Sequence, residues 1–152
     1  MRSIHDFSAS RRIEGKRVLL RCDLNVPFEE GAIQDDFRLE QSIPTIQYLA
    51  AQGSKCIIVA HFGRPTAQET QKFSLLPIAK RLEQLLGKPI HFIDDPIGEK
   101  VQRKVEEMKP GEIALLENIR FYQGEEENDP VFAKLLAGLG DILAVAYQKY
   151  WD

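Results

Sequence analysis

The residues best suited to chemistry are those that interrupt apolar runs. Arg21-Cys22-Asp23-Leu24-Asn25-Val26-Pro27 follows Val18-Leu19-Leu20, and Pro27 forbids a helix and forces a turn. Asp and Asn side chains at a strand exit sit where ligands bind in open α/β sheets. Both residue types also close ordinary turns, so this stretch alone leaves turn and site open. The pattern sharpens downstream. His61-Phe62-Gly63-Arg64-Pro65 follows Cys56-Ile57-Ile58-Val59-Ala60, and Arg120 follows Ile113–Leu116. Asp, Asn, His and Arg thus stand at successive strand exits, which predicts a site for a small anion. A guanidinium offers the bidentate recognition of carboxylate or phosphate that an ammonium does not.

Each of these groups also has a plainer reading. Arg64, between Gly63 and Pro65, serves equally as a solvated loop charge, and His61 as a core histidine bonded to backbone. Arg38 follows Asp35-Asp36 at a helix start, where the dipole favours anions, so its position favours a ligand role over a stabilising one. His5 and His91 have no partners at useful spacing and are expected to be structural or exposed. Glu125-Glu126-Glu127-Asn128-Asp129 lacks calcium-loop spacing and reads as a loop entering a helix cap, so no metal site is expected. No Walker A pattern precedes Gly87-Lys88, no G-x-G-x-x-G follows a strand, and no Ser or Cys nucleophile stands at a recognisable motif spacing.

The elements that must position these residues alternate. Candidate strands cover Arg17–Cys22, Lys55–His61, Ile90–Ile93, Ile113–Leu116 and Asp141–Tyr147. The first two are continuous apolar runs, as in parallel strands covered on both faces. Leu39, Ile43, Ile46, Leu49 and Ala50 mark a helix face closed by Gly53, with Pro44 expected to kink or divide it. Ser74 is expected to cap a second helix that buries Ile78, Leu82, Leu85 and Leu86 and ends at Gly87. A third runs through Ile97, Val101, Val105 and Met108. A fourth opens at Asp129-Pro130 and buries Phe132, Leu135, Leu136 and Leu139. Such alternation predicts a three-layer αβα fold around a doubly wound, mainly parallel, Rossmann-like sheet.

With 152 residues, 43% of them apolar, the chain suits one domain that needs no disulfide or metal staple. A formal charge of −3 without a basic stripe argues against nucleic acid as a partner. Cys22 and Cys56 read as buried, reduced thiols. The N-terminus lacks a signal-peptide core, and no apolar run approaches the roughly 20 residues that span a bilayer. A cytoplasmic protein without a membrane partner is expected.

Four motifs carry a family resemblance: Arg21-Cys22-Asp23-Leu24-Asn25-Val26-Pro27, Asp35-Asp36-Phe37-Arg38, His61-Phe62-Gly63-Arg64-Pro65 and Leu116-Glu117-Asn118-Ile119-Arg120-Phe121. From about Ile4 to Ile142 the chain resembles the N-terminal, 3-phosphoglycerate-binding domain of phosphoglycerate kinase. The resemblance implies that Asp23 and Asn25 bond the hydroxyl and carboxyl end of 3-phosphoglycerate. It implies that His61, Gly63, Arg64 and Arg120 belong to the substrate site, with Arg21 a neighbour that tunes the basic patch. The resemblance also implies that Arg38 binds substrate and, as the catalytic residue, faces the transferring phosphoryl group. Phosphoryl transfer is mostly positioning and electrostatic stabilisation, so a cluster of cations fits the reaction.

In the complete family enzyme a C-terminal domain binds ATP or ADP with magnesium; none is expected to bind this chain alone. Residues 1–142 are expected to form the substrate domain and residues 143–152 a divergent tail. There, Ala146-Tyr147-Gln148-Lys149-Tyr150 reads as a decayed Ala-His-Arg-x-His or as unrelated sequence after a frameshift. The expectation is a truncated phosphoglycerate kinase whose sheet is incomplete at its C-terminal end. It would bind 3-phosphoglycerate or 1,3-bisphosphoglycerate, not turn over alone, and self-associate through a sheet edge near Tyr147, Tyr150 and Trp151. The alternatives are a stand-alone binding module for phosphoglycerate-like anions and a degenerate protein used in association.

Overall fold

Strand β1 (Arg17–Arg21) shows why the chain folds in layers. Val18 and Leu20 are fully buried in one apolar cluster and Leu19 in another, so the strand is covered on both faces. The computed structural model describes residues 12–63, 65, 72–122 and 129–146. His5, Arg64, the run Glu125-Glu126-Glu127-Asn128 and Tyr147, Tyr150 and Trp151 lie outside the described residues.

The elements follow in the order β1, β2 (Phe28–Glu29), β3 (Ala32–Ile33), α1 (Phe37–Ala51), β4 (Lys55–Val59), α2 (Leu76–Leu86), β5 (His91–Ile93), α3 (Glu99–Glu106), β6 (Ile113–Leu116), a 3₁₀ turn (Ile119–Phe121), α4 (Pro130–Ala137) and β7 (Ile142–Val145). The main sheet has the order β5-β6-β4-β1-β7, and every pairing in it is parallel. Leu39, Ile46 and Leu49 of α1 and Ile78 and Leu82 of α2 join the cluster on one face. Val101 and Val105 of α3 and Phe132 of α4 join the cluster on the other. This is the predicted three-layer, Rossmann-like arrangement.

Chain direction now fixes where a ligand can sit. All five strands release their chain at one edge of the sheet. The chain leaving β4 runs to α2 on the first face, and the chain leaving its neighbour β6 runs to α4 on the second. The exits diverge between β4 and β6, and such a switch point opens a crevice.

Several local expectations need revision. Pro44 neither divides nor ends α1, which is one helix from Phe37 to Ala51. Leu39 on one side of the proline and Ile46 and Leu49 on the other are buried in the same cluster, while Pro44 and Glu40 are exposed. Water can therefore reach the Glu40 carbonyl that lost its partner. Leu75, not Ser74, occupies the N-cap position of α2; the Ser74 hydroxyl still accepts from Leu76 N at 3.2 Å. Leu135 is exposed, leaving Phe132 as the buried anchor of α4 and Leu139, just past its end, as a second buried residue. The hairpin β2–β3 was not anticipated. Its loop places Glu30 (φ 52°) and Gly31 (φ 77°) in the left-handed region, without the Asn or Asp that usually signals such a turn.

Other expectations hold. Asp129 accepts from Val131 N at 3.0 Å with Pro130 at the first turn, and Gly87 closes α2 at φ 70°. Cys22 and Cys56 are free and buried, and burial raises both thiols, Cys22 to about 12. His91 is exposed, although it has a partner in Glu112 at 2.9 Å. Among the described residues no helix is long and apolar enough to cross a membrane.

Strand β7 is tied to β1 by Asp141, whose carboxylate accepts from Arg17 N at 2.9 Å and from the Arg17 guanidinium at 3.1 Å. The guanidinium first, and the backbone N–H second, hold this carboxyl below its ordinary value. A carboxyl lowered in the fold contributes stability above its unfolded value and loses it as pH falls towards the folded one. Urea midpoints of wild type and Asp141→Asn should therefore differ near neutrality, and the gap should close below about pH 4. A gap independent of pH would show that this carboxylate does not secure β7.

Candidate anion-binding site

The strand exits are joined by hydrogen bonds that run across the sheet edge. After β1, the Asp23 carboxylate accepts from Asn25 N at 3.1 Å, closing the turn that Pro27 makes necessary. It also accepts from Arg38 Nη1 at 3.2 Å, and the same nitrogen donates to the Asn25 carbonyl at 2.8 Å. Arg38 is thus drawn away from the unfavourable helix terminus and towards the β1 exit. Both bonds use one nitrogen of a guanidinium that carries five N–H donors and is 43% exposed.

From β1 the connection passes to β4 and β6. Asn25 Oδ1 accepts from Gly63 N at 3.0 Å, and Gly63 O accepts from Arg120 Nη1 at 2.8 Å. Arg38, Asp23, Asn25, Gly63 and Arg120 therefore form one continuous set across three neighbouring strands. His61 is half-buried at the β4 exit, and Arg21 is half-buried at the end of β1. Arg64 lies outside the described residues.

Two clefts flank this set. One, of about 490 Å³, is lined by Asn25, Val26, Pro27, Asp35, Phe37 and Arg38. The other, of about 330 Å³, shares Asp35 and lies between the hairpin and α2, where Arg81 Nε bonds both Asp36 oxygens at 3.1 Å. That pairing lowers the Asp36 carboxyl. Each cleft has an Arg paired with a carboxylate, Arg38 with Asp23 in the first and Arg81 with Asp36 in the second, but only the first is lined by residues of the set that joins the strand exits.

Acidic side chains bond the chain at three helix starts: Asp35 at α1, Glu117 at α2 and Asp129 at α4. A carboxylate there occupies the N–H groups that a phosphate would need and repels it. Among the described residues no group of His, Cys, Asp and Glu is arranged to hold a metal ion.

Sequence reasoning named Glu117 and Asn118 only as parts of a motif. Both are buried at the β6 exit, and Asn118 Oδ1 accepts from Phe62 N at 3.2 Å and Arg120 N at 3.0 Å. The available signal was two polar residues directly after a fully apolar strand, the same signal that singles out Asp23 and Asn25.

The phosphoglycerate kinase family profile matches residues 6–146. The chain belongs to the phosphoglycerate kinase family. It is 49% identical over 142 residues to the phosphoglycerate kinase of Borrelia hermsii, an alignment covering 93% of this chain and 35% of that protein. It is 52% identical over 130 residues to the phosphoglycerate kinase of Dictyoglomus turgidum, covering 86% and 33%. Among solved structures, the Pyrococcus horikoshii enzyme superposes with a TM-score of 0.80 at 32% identity, covering 90% of this chain and 35% of that one. The Coxiella burnetii enzyme gives 0.78 at 36% identity, covering 90% and 34%. The chain spans about a third of the length of these relatives, and the match corresponds to the family's N-terminal, substrate-binding domain.

Gly63 is the glycine on which this geometry turns. It sits at φ 60°, and a Cβ there would meet the Phe73 ring at 2.4 Å. Phe73 is itself packed edge-on against Phe62, at 5.9 Å between ring centroids. Gly63→Ala should therefore lower stability by about 1–3 kcal/mol through left-handed strain and overpacking. Urea denaturation measures this, and an unchanged midpoint would contradict the close approach.

Proposed function

We infer that this chain binds 3-phosphoglycerate, or 1,3-bisphosphoglycerate, as the substrate domain of a phosphoglycerate kinase, and that it does not turn over alone. The observation that supports this reading is the convergence of Arg38, Asp23, Asn25, Gly63 and Arg120 at three parallel strand exits. A substrate with a carboxylate at one end and a phosphate at the other needs cations separated along an edge. It also needs acceptors for its hydroxyl. Arg38 lies beside the 490 Å³ cleft and Arg120 beside Gly63, with the Asn25 and Asp23 side chains in the connecting stretch. His61 and Arg64 complete the proposed basic patch, and Arg38 is the group assigned to the transferring phosphoryl.

In the complete family enzyme ATP or ADP with magnesium supplies or receives that phosphoryl group. Here the residues bind and orient the acceptor; excluding water and aligning the nucleotide require a second surface. A stand-alone anion-binding module would share this site and differ only in giving no turnover when a separate nucleotide-binding half is added.

Calorimetric or chemical-shift titration with 3-phosphoglycerate at low salt tests the assignment. Loss of one charge-assisted contact is worth roughly 1.5–3 kcal/mol, so Arg38→Ala and Arg120→Ala should each weaken binding about ten- to a hundred-fold. Binding indifferent to both substitutions would reject the site.

Association between copies of this chain is a second reading, favoured by the β7 edge. Among the described residues β7 pairs only with β1, and Leu143 and Val145 are 69% and 57% exposed. The stretch Ile142–Val145 carries no charge or proline, the residues that usually protect an edge. Light scattering should show concentration-dependent association that Leu143→Lys reduces. A monomer at every concentration would exclude it.

A further inference from the structure

Two buried side chains at the switch point account for how the β4 and β6 exits share one geometry. Asn118 is fully buried and uses its whole hydrogen-bonding capacity. Its oxygen accepts from Phe62 N and Arg120 N, and its amide nitrogen donates to the carbonyls of Phe62 at 2.7 Å and Phe73 at 3.0 Å. One side chain thus holds the β4 exit, the approach to α2 and the start of the Arg120 turn. Glu117, 7% exposed, completes the junction. Its carboxylate accepts from the Ser74 hydroxyl at 2.7 Å, Leu75 N at 2.8 Å and Asn118 N at 2.8 Å. It thereby meets a donor at the start of α2, where the helix dipole favours an anion, and braces the backbone of Asn118.

These contacts bridge two chain segments that diverge to opposite faces of the sheet. The β4–β6 ladder ends at Ile58 and Leu115, and beyond it the Asn118 contacts join a single backbone bond, Ile119 N to Ala60 O at 3.2 Å, in registering the two exits. Arg120 depends on the junction twice. Its backbone N–H is held by Asn118, and its guanidinium bonds Gly63 O, one residue beyond the Phe62 that Asn118 holds by both N–H and carbonyl.

We propose that Asn118, braced by Glu117, is the positioning residue that sets the distance and orientation between Arg120 and the Gly63 end of the anion site. It touches no ligand and acts through these two residues. The inference rests on the reading that an anion binds here, and the following experiment separates failure of one from failure of the other.

The variants are Asn118→Ala, which removes all four bonds, and Asn118→Asp, which keeps both acceptor contacts but sets an oxygen against the Phe62 and Phe73 carbonyls. Glu117→Gln is the conservative control, since its amide oxygen can still accept from Leu75 and Asn118 while the Ser74 hydroxyl reverses. Each is titrated with 3-phosphoglycerate well below its melting temperature, and the amide and guanidinium resonances of Phe62, Gly63 and Arg120 are followed in the ligand-free protein. Folded Asn118→Ala and Asn118→Asp should bind at least about tenfold more weakly, the equivalent of one lost interaction. Glu117→Gln should stay within about threefold, a smaller change than a broken bond produces. The Phe62, Gly63 and Arg120 resonances should shift while those of α4 do not.

If Asn118→Ala does not fold, the neutral Asn118→Ser decides, since it adds no charge and its short hydroxyl cannot reach both exits at once. Wild-type affinity in the folded variants overturns the proposal. If wild type binds no 3-phosphoglycerate, the proposed function fails. The resonances then decide the positioning role: coupled shifts at Phe62, Gly63 and Arg120 uphold it, and unchanged positions overturn it.

Discussion

Parallel pairing of five strands sets the terms for everything else in this protein. A parallel sheet sends every strand exit to the same edge and buries both faces under helices. The exits must then satisfy their backbone groups without a neighbouring hairpin to do it. Val18, Leu20, Ile57 and Ile58 fill the sheet, and the polar residues that follow such runs meet at the edge because they have nowhere else to go. Asp23, Asn25, Gly63, Asn118 and Arg120 serve this structural need, and the same set of contacts frames the proposed site.

This double duty explains why the site is only partly open. Arg38 already bridges Asp23 and the Asn25 carbonyl, and Arg120 already bonds the Gly63 carbonyl. Internal partners hold both guanidiniums in place, and a side chain ordered before binding reduces the ordering that a ligand must impose. Those partners are carbonyls and a carboxylate, so ligand oxygens would add to or replace acceptors of the same kind. Buried polar groups are tolerable here because each hydrogen bond of Asn118 and Glu117 meets a complementary donor or acceptor.

The hairpin β2–β3 extends the same logic beyond the main sheet. Phe28 packs edge-on against Phe62 at 5.8 Å, and Arg81 of α2 holds Asp36 just before Arg38. The start of α1, the hairpin and α2 are thus braced against one another on one side of the site. The β7 edge on the far side of β1 has no comparable cover among the described residues, and its exposed Leu143 and Val145 mark the contrast.

Local signals in the sequence settled the alternation of strands and helices, the caps at Asp129 and Gly87, and the polar residues at each exit. Apolar periodicity and turn chemistry act over a few residues and are written where they operate. They did not settle whether Pro44 would break α1, because burial of Leu39, Ile46 and Leu49 against the sheet decided that. Nor could they place the hairpin, whose Glu30-Gly31 loop lacks the usual turn residues. Strand order, the switch between β4 and β6, and the partners of Arg38, Arg120 and Asn118 came only from the tertiary structure. Asn118 and Phe62 are 56 positions apart and Arg120 and Gly63 are 57, so the bonds that shape the site exist only once the sheet has assembled.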